Sequence, residues 1–188
     1  MSRTIVVFGA HTSLGALVAR QYGNDGYDVV LVTAEGHCLE ALITILGSEG
    51  IAPQTFIDPL TTPDSAAALV RTIRATVGPI DAVFYSPPHR LPSSPAGHPR
   101  TVPGPFDQTL AAVFNEVLPE MRARKAGTLL VAHSNLPARQ GARHDNADLA
   151  TRHYLQVLHR ELASDGVHIG TLTVGSLFCH ENFLAFGT

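Results

Sequence analysis

The residues whose types and spacing can do chemistry begin at position 5, in the run Ile-Val-Val-Phe-Gly9-Ala-His11-Thr-Ser13-Leu14-Gly15-Ala-Leu-Val-Ala-Arg20. The apolar stretch reads as a buried strand, the glycines as the bounds of a turn, and the remainder as the first turns of a helix. Gly9 lets the chain turn sharply at the strand end, and Gly15 lets helix and strand pack closely. The helix N-terminus aims unpaired N–H groups at a phosphate. A ligand with a pyrophosphate is therefore expected on Gly9, Ser13, Leu14 and Gly15, with Ser13 standing where the usual spacing has its middle glycine. His11, inside the turn, either assists phosphate binding when protonated or is a plain loop residue. The chain's ten histidines show no HExxH and no close pairs, so no metal is expected.

The elements that must position this turn follow in strict alternation. Tyr27–Val32 is a second apolar, β-branched run, followed by a helical stretch over Cys38–Leu46. Ile51–Ile57 is a third strand candidate ending in Asp58-Pro59-Leu60-Thr61. Pro63-Asp64 starts a helix that runs through Val77 and is stopped by Gly78-Pro79, and Ile80–Tyr85 is a fourth strand. Residues 86–105 hold seven of the 13 prolines, which excludes a regular helix or central strand and predicts a long loop, substrate-facing or simply solvated. Phe106–Lys125 returns as a helix, Gly127–Ala132 as a strand, Asp145–Ser164 as a long helix and Val167–Val174 as a sixth strand. Alternation of this kind predicts an α/β fold: a Rossmann-type doubly wound parallel sheet of about six strands, with helices on both faces.

Composition narrows the class. The 188 residues are expected to form a single domain, residues 1–188, large enough to bury about 70% of its unfolded surface. With 45% hydrophobic residues, 15% charged residues and a formal charge of −3, the chain lacks the basic excess that nucleic acid or an anionic membrane would favour. Cys38 and Cys179 are too few for a disulfide framework. There is no room for a signal sequence before the first strand, and no apolar run approaches the roughly 20 residues of a membrane helix. A cytoplasmic protein with a small-molecule substrate is expected.

Six segments, in order, resemble the short-chain dehydrogenase/reductase family along nearly the whole chain. Gly9–Gly15 matches TGxxxGxG less one glycine, and Asp58 matches the acidic residue after the third strand. Asp81-Ala-Val-Phe-Tyr-Ser86-Pro-Pro matches "DxLVNNAG", and Gly127-Thr-Leu-Leu-Val-Ala-His-Ser134 matches "GxIVNISS". Arg160-Glu161-Leu162 with Gly166-Val167-His168-Ile169 matches "REL…GIRV", and Val174-Gly175 stands at "PG". The resemblance implies a nicotinamide dinucleotide as cofactor, a carbonyl or alcohol substrate, and a homodimer or homotetramer. It implies cofactor contacts at Asp58 (to the adenine), Ser86 and Gly175. After the second strand, Thr33-Ala34 replaces the acid or arginine that chooses NAD or NADP. Thr33 can bond a ribose or a phosphate oxygen, and NADP is slightly favoured over NAD.

The family's mechanism needs a Tyr, a Lys, a Ser and an Asn. Ser134 falls on the serine, and of the neighbours His133 and Ser134 only one should face a ligand. Counting back from Arg160, the Tyr-x-x-x-Lys positions hold His144 and Asp148, and the Asn position falls near Phe106. No Tyr-x-x-x-Lys exists anywhere in the chain. Two readings of His144 and Asp148 stand. His144 can replace the tyrosine as general acid or base, with Asp148 one helical turn on to orient it and Ser134 to bind the substrate oxygen. Alternatively Asp145 and Asp148 are an N-cap and N3 pair, and His144 precedes the helix. Three activities follow: an NAD(P)-dependent oxidoreductase with a degenerate tetrad; a non-redox dehydratase, isomerase or cyclase on the same scaffold; and a catalytically silent dinucleotide-binding protein.

Overall fold

The computed structural model describes residues 2–10, 12–34, 36, 39–86, 108–134 and 143–174, with backbone alone at 133–134, 143–149 and 173–174. Six strands, β1 (Arg3–Phe8), β2 (Tyr27–Thr33), β3 (Gln54–Ile57), β4 (Ala82–Tyr85), β5 (Gly127–Ser134) and β6 (Val167–Val174), form one sheet in the order β3-β2-β1-β4-β5-β6. Every pairing is parallel. The helices between them are α1 (Ser13–Asn24), α2 (Glu40–Ser48), α3 (Pro63–Val77), α4 (Gln108–Arg124) and α5 (Arg143–Leu162). This is the expected doubly wound Rossmann-type sheet. The strand order explains the layering: crossovers of one hand put helices on one face while the chain steps outward from β1 to β3. They put helices on the other face once it jumps back and steps from β4 to β6.

Two cores result. Ile5, Val7, Val29, Leu31 and Phe84 meet Ala16 and Ala19 of α1 and Leu42 and Leu46 of α2. Val6, Phe8, Val30, Val83 and Leu129, from alternate positions of the strands, meet Val70 and Ile73 of α3, Phe114 and Met121 of α4, and Leu155 and Leu162 of α5. Strands β1 and β4 are apolar on both faces because helices cover both.

Element ends follow local chemistry. Thr62 caps α3, accepting the Ser65 N–H at 3.1 Å, while Ser65 Oγ accepts the Thr62 N–H at 3.3 Å and Pro63 takes the first helical position. Strand β3 is shorter than the sequence suggests, because the Ile51 amide bonds Leu46 O at 2.9 Å and so closes α2. Strand β4 runs from Ala82, and just before it the backbone of Asp81 already donates to Thr4 O at 2.9 Å and accepts the Thr128 N–H at 3.0 Å. Asp81 Oδ2 accepts the Thr4 N–H at 2.8 Å, and its Oδ1 accepts Arg124 Nη1 at 3.0 Å. Arg124 Nη2 also donates to Ile80 O at 2.8 Å, so one carboxylate ties β1, the start of β4 and the end of α4 together. Three further arginines of the outer surface form ion pairs: Arg20 with Glu49, Arg71 with Glu116 and Arg122 with Asp165. Arg74 donates to Glu116 O, and Arg3 lies over the Tyr27 ring.

Among the described residues no helix is long and apolar enough to cross a membrane. The proline-rich stretch from 87 to 105 lies outside the described residues, as do His11 and Gly175. Removing the Asp81 carboxylate orphans the Thr4 amide and the Arg124 guanidinium. Asp81→Ala should therefore lower unfolding stability by about 2 kcal/mol, and Asp81→Asn, which keeps an acceptor, by less. Urea denaturation with an unchanged slope is the check.

Candidate functional site

The carboxyl ends of the strands are where an open α/β sheet binds ligands, at the point where strand order reverses, here between β1 and β4. At that point the Gly9 and Ala10 amides both bond Val32 O of β2, at 3.1 and 3.2 Å, and Gly9 adopts a φ of +85° that only glycine takes without strain. A Cβ on Gly9 would stand 2.7 Å from Ser86 O, and one on Gly15 would stand 2.5 Å from Gly9 O. Ser86, 6% exposed, donates its amide to Phe8 O at 3.0 Å, so the end of β4 is clamped against the turn. Both glycines are required by close approach of backbone to backbone.

Thr12, which sequence reasoning missed, organises the turn. It is the N-cap of α1: its Oγ1 donates to Gly9 O and accepts the Gly15 N–H, each at 2.9 Å. The signal was available, since Thr directly before a helix is a capping residue. With the Gly15 amide bound by Thr12 and the Ala16 amide by Thr12 O, the amides of Ser13 and Leu14 are left without an acceptor among the described residues. Two adjacent donors at a positive helix end form an oxyanion cradle of the kind a pyrophosphate fills. The residues therefore fit a dinucleotide phosphate.

The other sequence-derived positions fall along the same edge of the sheet. Thr33 ends β2 and is buried, paired in register with Ile57. Asp58 follows β3; its amide donates to Thr33 O at 2.8 Å and its Oδ1 accepts the Leu60 N–H at 2.7 Å. That bond holds Leu60 at a φ of +49° and leaves Oδ2 without a partner among the described residues. Ser134 ends β5, opposite Val174 in the register of β6. His144 and Asp148 lie in the first and second turns of α5. The side chains of these last three, and the whole of His11 and Gly175, are outside the described residues. One expectation is corrected: α5 begins at Arg143, so Asp145 is inside the first turn rather than at the N-cap, and His144 is helical rather than pre-helical.

Two tyrosines close to the site belong to the scaffold. Tyr85, at the end of β4, is buried against Phe8 with ring centroids 6.0 Å apart, and its hydroxyl is 2.7 Å from Thr109 Oγ1. Tyr154, on α5, packs half-buried against the core on the α3–α5 side. Burial, and secondarily the charge of Glu161, push its phenol above the usual range, away from a role in proton transfer at neutral pH. Among the described residues no group of three or more His, Cys, Asp or Glu side chains could hold a metal.

The sequence pattern of the short chain dehydrogenase family matches residues 3–178, and the chain belongs to that family. Solved structures share the fold. A metagenomic short-chain oxidoreductase in complex with NADP superimposes with a TM-score of 0.74 at 22% identity, covering 94% of this chain and 84% of that one. The 3-oxoacyl (acyl-carrier-protein) reductase of Agrobacterium tumefaciens, with NADP bound, gives 0.77 at 20% identity, covering 92% and 69%. The alcohol dehydrogenase of the archaeon Thermococcus sibiricus, complexed with 5-hydroxy-NADP, gives 0.74 at 17% identity, covering 93% and 77%. A comparison with curated proteins found no match.

The interlocked turn sets two stability costs. Thr12→Ala should cost about 1 kcal/mol through the lost cap. Gly15→Ala should cost about 2 kcal/mol through the clash with Gly9 O. Thermal unfolding of the two variants beside the parent protein measures both.

Proposed function

We propose that this chain is a divergent NAD(P)-dependent oxidoreductase acting on a small carbonyl or alcohol compound. The observation that carries the reading is the cradle of the Ser13 and Leu14 amides beside the Gly9–Ser86 contact, at the switch point between β1 and β4. The pyrophosphate lies on Ser13, Leu14 and Gly15, with His11 beside it. Thr33 reaches the ribose or its phosphate, Asp58 offers Oδ2 to the adenine, and Ser86 and Gly175 line the nicotinamide side. NADP is favoured over NAD, in keeping with the NADP that the metagenomic and Agrobacterium neighbours carry.

When bound, the dinucleotide supplies or accepts a hydride. The chain's own groups handle the proton. Ser134 donates a hydrogen bond to the substrate oxygen, His144 gives or takes the proton there, and Asp148, one turn further along α5, stabilises the imidazolium. A histidine suits this task without a lysine partner, because its ordinary pKa already lies near neutrality. The whole chain acts as one nucleotide-binding unit, as a cytoplasmic homodimer or homotetramer. A second reading rests on the absence of any Tyr-x-x-x-Lys: the scaffold keeps the nucleotide site while performing non-redox acid–base chemistry, or none.

Two experiments separate these readings. Nicotinamide fluorescence should saturate on titration with NADPH, and Ser13→Asp, which suits a helix N-terminus but repels phosphate, should weaken binding by roughly tenfold or more without loss of fold. Failure of both NADPH and NADH to bind at millimolar concentration would remove the redox and the silent-binding readings together. NADPH oxidation with a panel of aldehydes, ketones and quinones then tests turnover. His144→Ala should abolish it and Asp148→Asn reduce it, whereas a fully active His144→Ala protein would take the proton transfer away from that residue.

A further inference from the structure

Away from the strand-end crevice, α5 and β6 border an open groove of about 520 Å³. Leu155 and Ile169 contribute its apolar lining, and Arg152, His159 and Arg160 of α5 its charged side chains. Its cations differ from the rest of the surface. Every other arginine whose side chain is described has a carboxylate, a carbonyl or an aromatic ring as partner. Among the described residues Arg152 and Arg160 have no hydrogen-bond or ion-pair partner, and both line this one groove.

From this we infer that the groove between α5 and β6 is a binding site for an elongated organic dianion with an apolar middle, such as a linear dicarboxylate. Eight residues of helix separate Arg152 from Arg160, about 12 Å along the axis. That spacing suits two carboxylates joined by a chain of similar length better than it suits one compact anion. Each guanidinium takes its own carboxylate in a two-pronged hydrogen bond, and His159 adds a donor at the Arg160 end. Leu155, which lies between the arginines along α5, forms with Ile169 the apolar lining for the methylene chain. The site is separate from the proposed nucleotide turn and stands whether or not that turn binds NADP.

Calorimetric titration of the full chain with decanedioate, decanoate and butanedioate tests the assignment. Decanedioate should bind saturably, decanoate (one charge) and butanedioate (two charges, no spanning chain) roughly tenfold or more weakly. Arg152→Gln and Arg160→Gln should each weaken decanedioate by about tenfold, and the double variant should abolish saturable binding at unchanged melting temperature. No saturable decanedioate binding to the parent protein, equal affinity for decanoate, or undiminished binding by the double variant would each overturn the proposal.

Discussion

The structure depends on how closely three backbone segments approach at the end of β1. Gly15 packs its Cα against Gly9 O, and Gly9 packs against Ser86 O, with no space for a Cβ at either point. That approach lets α1 lie flat on the sheet through the small residues Gly15, Ala16 and Ala19. It brings the end of β4 beside the turn, and it forces Thr12 into the extended conformation from which its hydroxyl caps the helix. The consequence is chemical: once Thr12 has taken the Gly15 amide, the adjacent Ser13 and Leu14 donors are left without an acceptor among the described residues. A side chain at either glycine would disturb packing and cradle at once, so fold and candidate function share one constraint.

The opposite end of the sheet is fixed by charge rather than by close packing. Asp81 and Arg124 join the start of β4, β1 and the end of α4, away from any ligand. The motif that resembles the family's "DxLVNNAG" thus divides in two. Its aspartate is structural, its tyrosine is core, and Ser86 at its end is clamped against the Gly9 turn. Three unrelated jobs along six residues explain why such a motif can lose its usual asparagines and still hold the same sheet.

Much of this was legible in the sequence, for physical reasons that differ by element. The limits of α3 were readable because Pro63 and Gly78 act locally, and β6 because Gly166 precedes a run rich in β-branched residues. The glycine turn was readable because backbone approach admits no other residue. Long-range ties were not: nothing near Asp81 announces a partner 43 residues away. The start of α5 was misplaced because Asp145 suits a cap and a first helical turn about equally well, since the dipole favours a carboxylate at both. Thr12 was overlooked although its rule is local, the glycines on either side having drawn the reading toward phosphate. Arg152 and Arg160 of α5 were invisible because an arginine without a partner among the described residues declares itself only once the contacts of the others are known.

The central claim is that the paired amides of Ser13 and Leu14 receive the phosphates of a nicotinamide dinucleotide. Amide-resolved NMR of the labelled protein during titration with NADPH reads those two donors directly. The account predicts that the Ser13, Leu14 and Gly15 signals shift most, saturably, while the signals of the Asp81–Arg124 end of the sheet stay in place. Shifts absent from residues 13–15, or confined to another face, would contradict it.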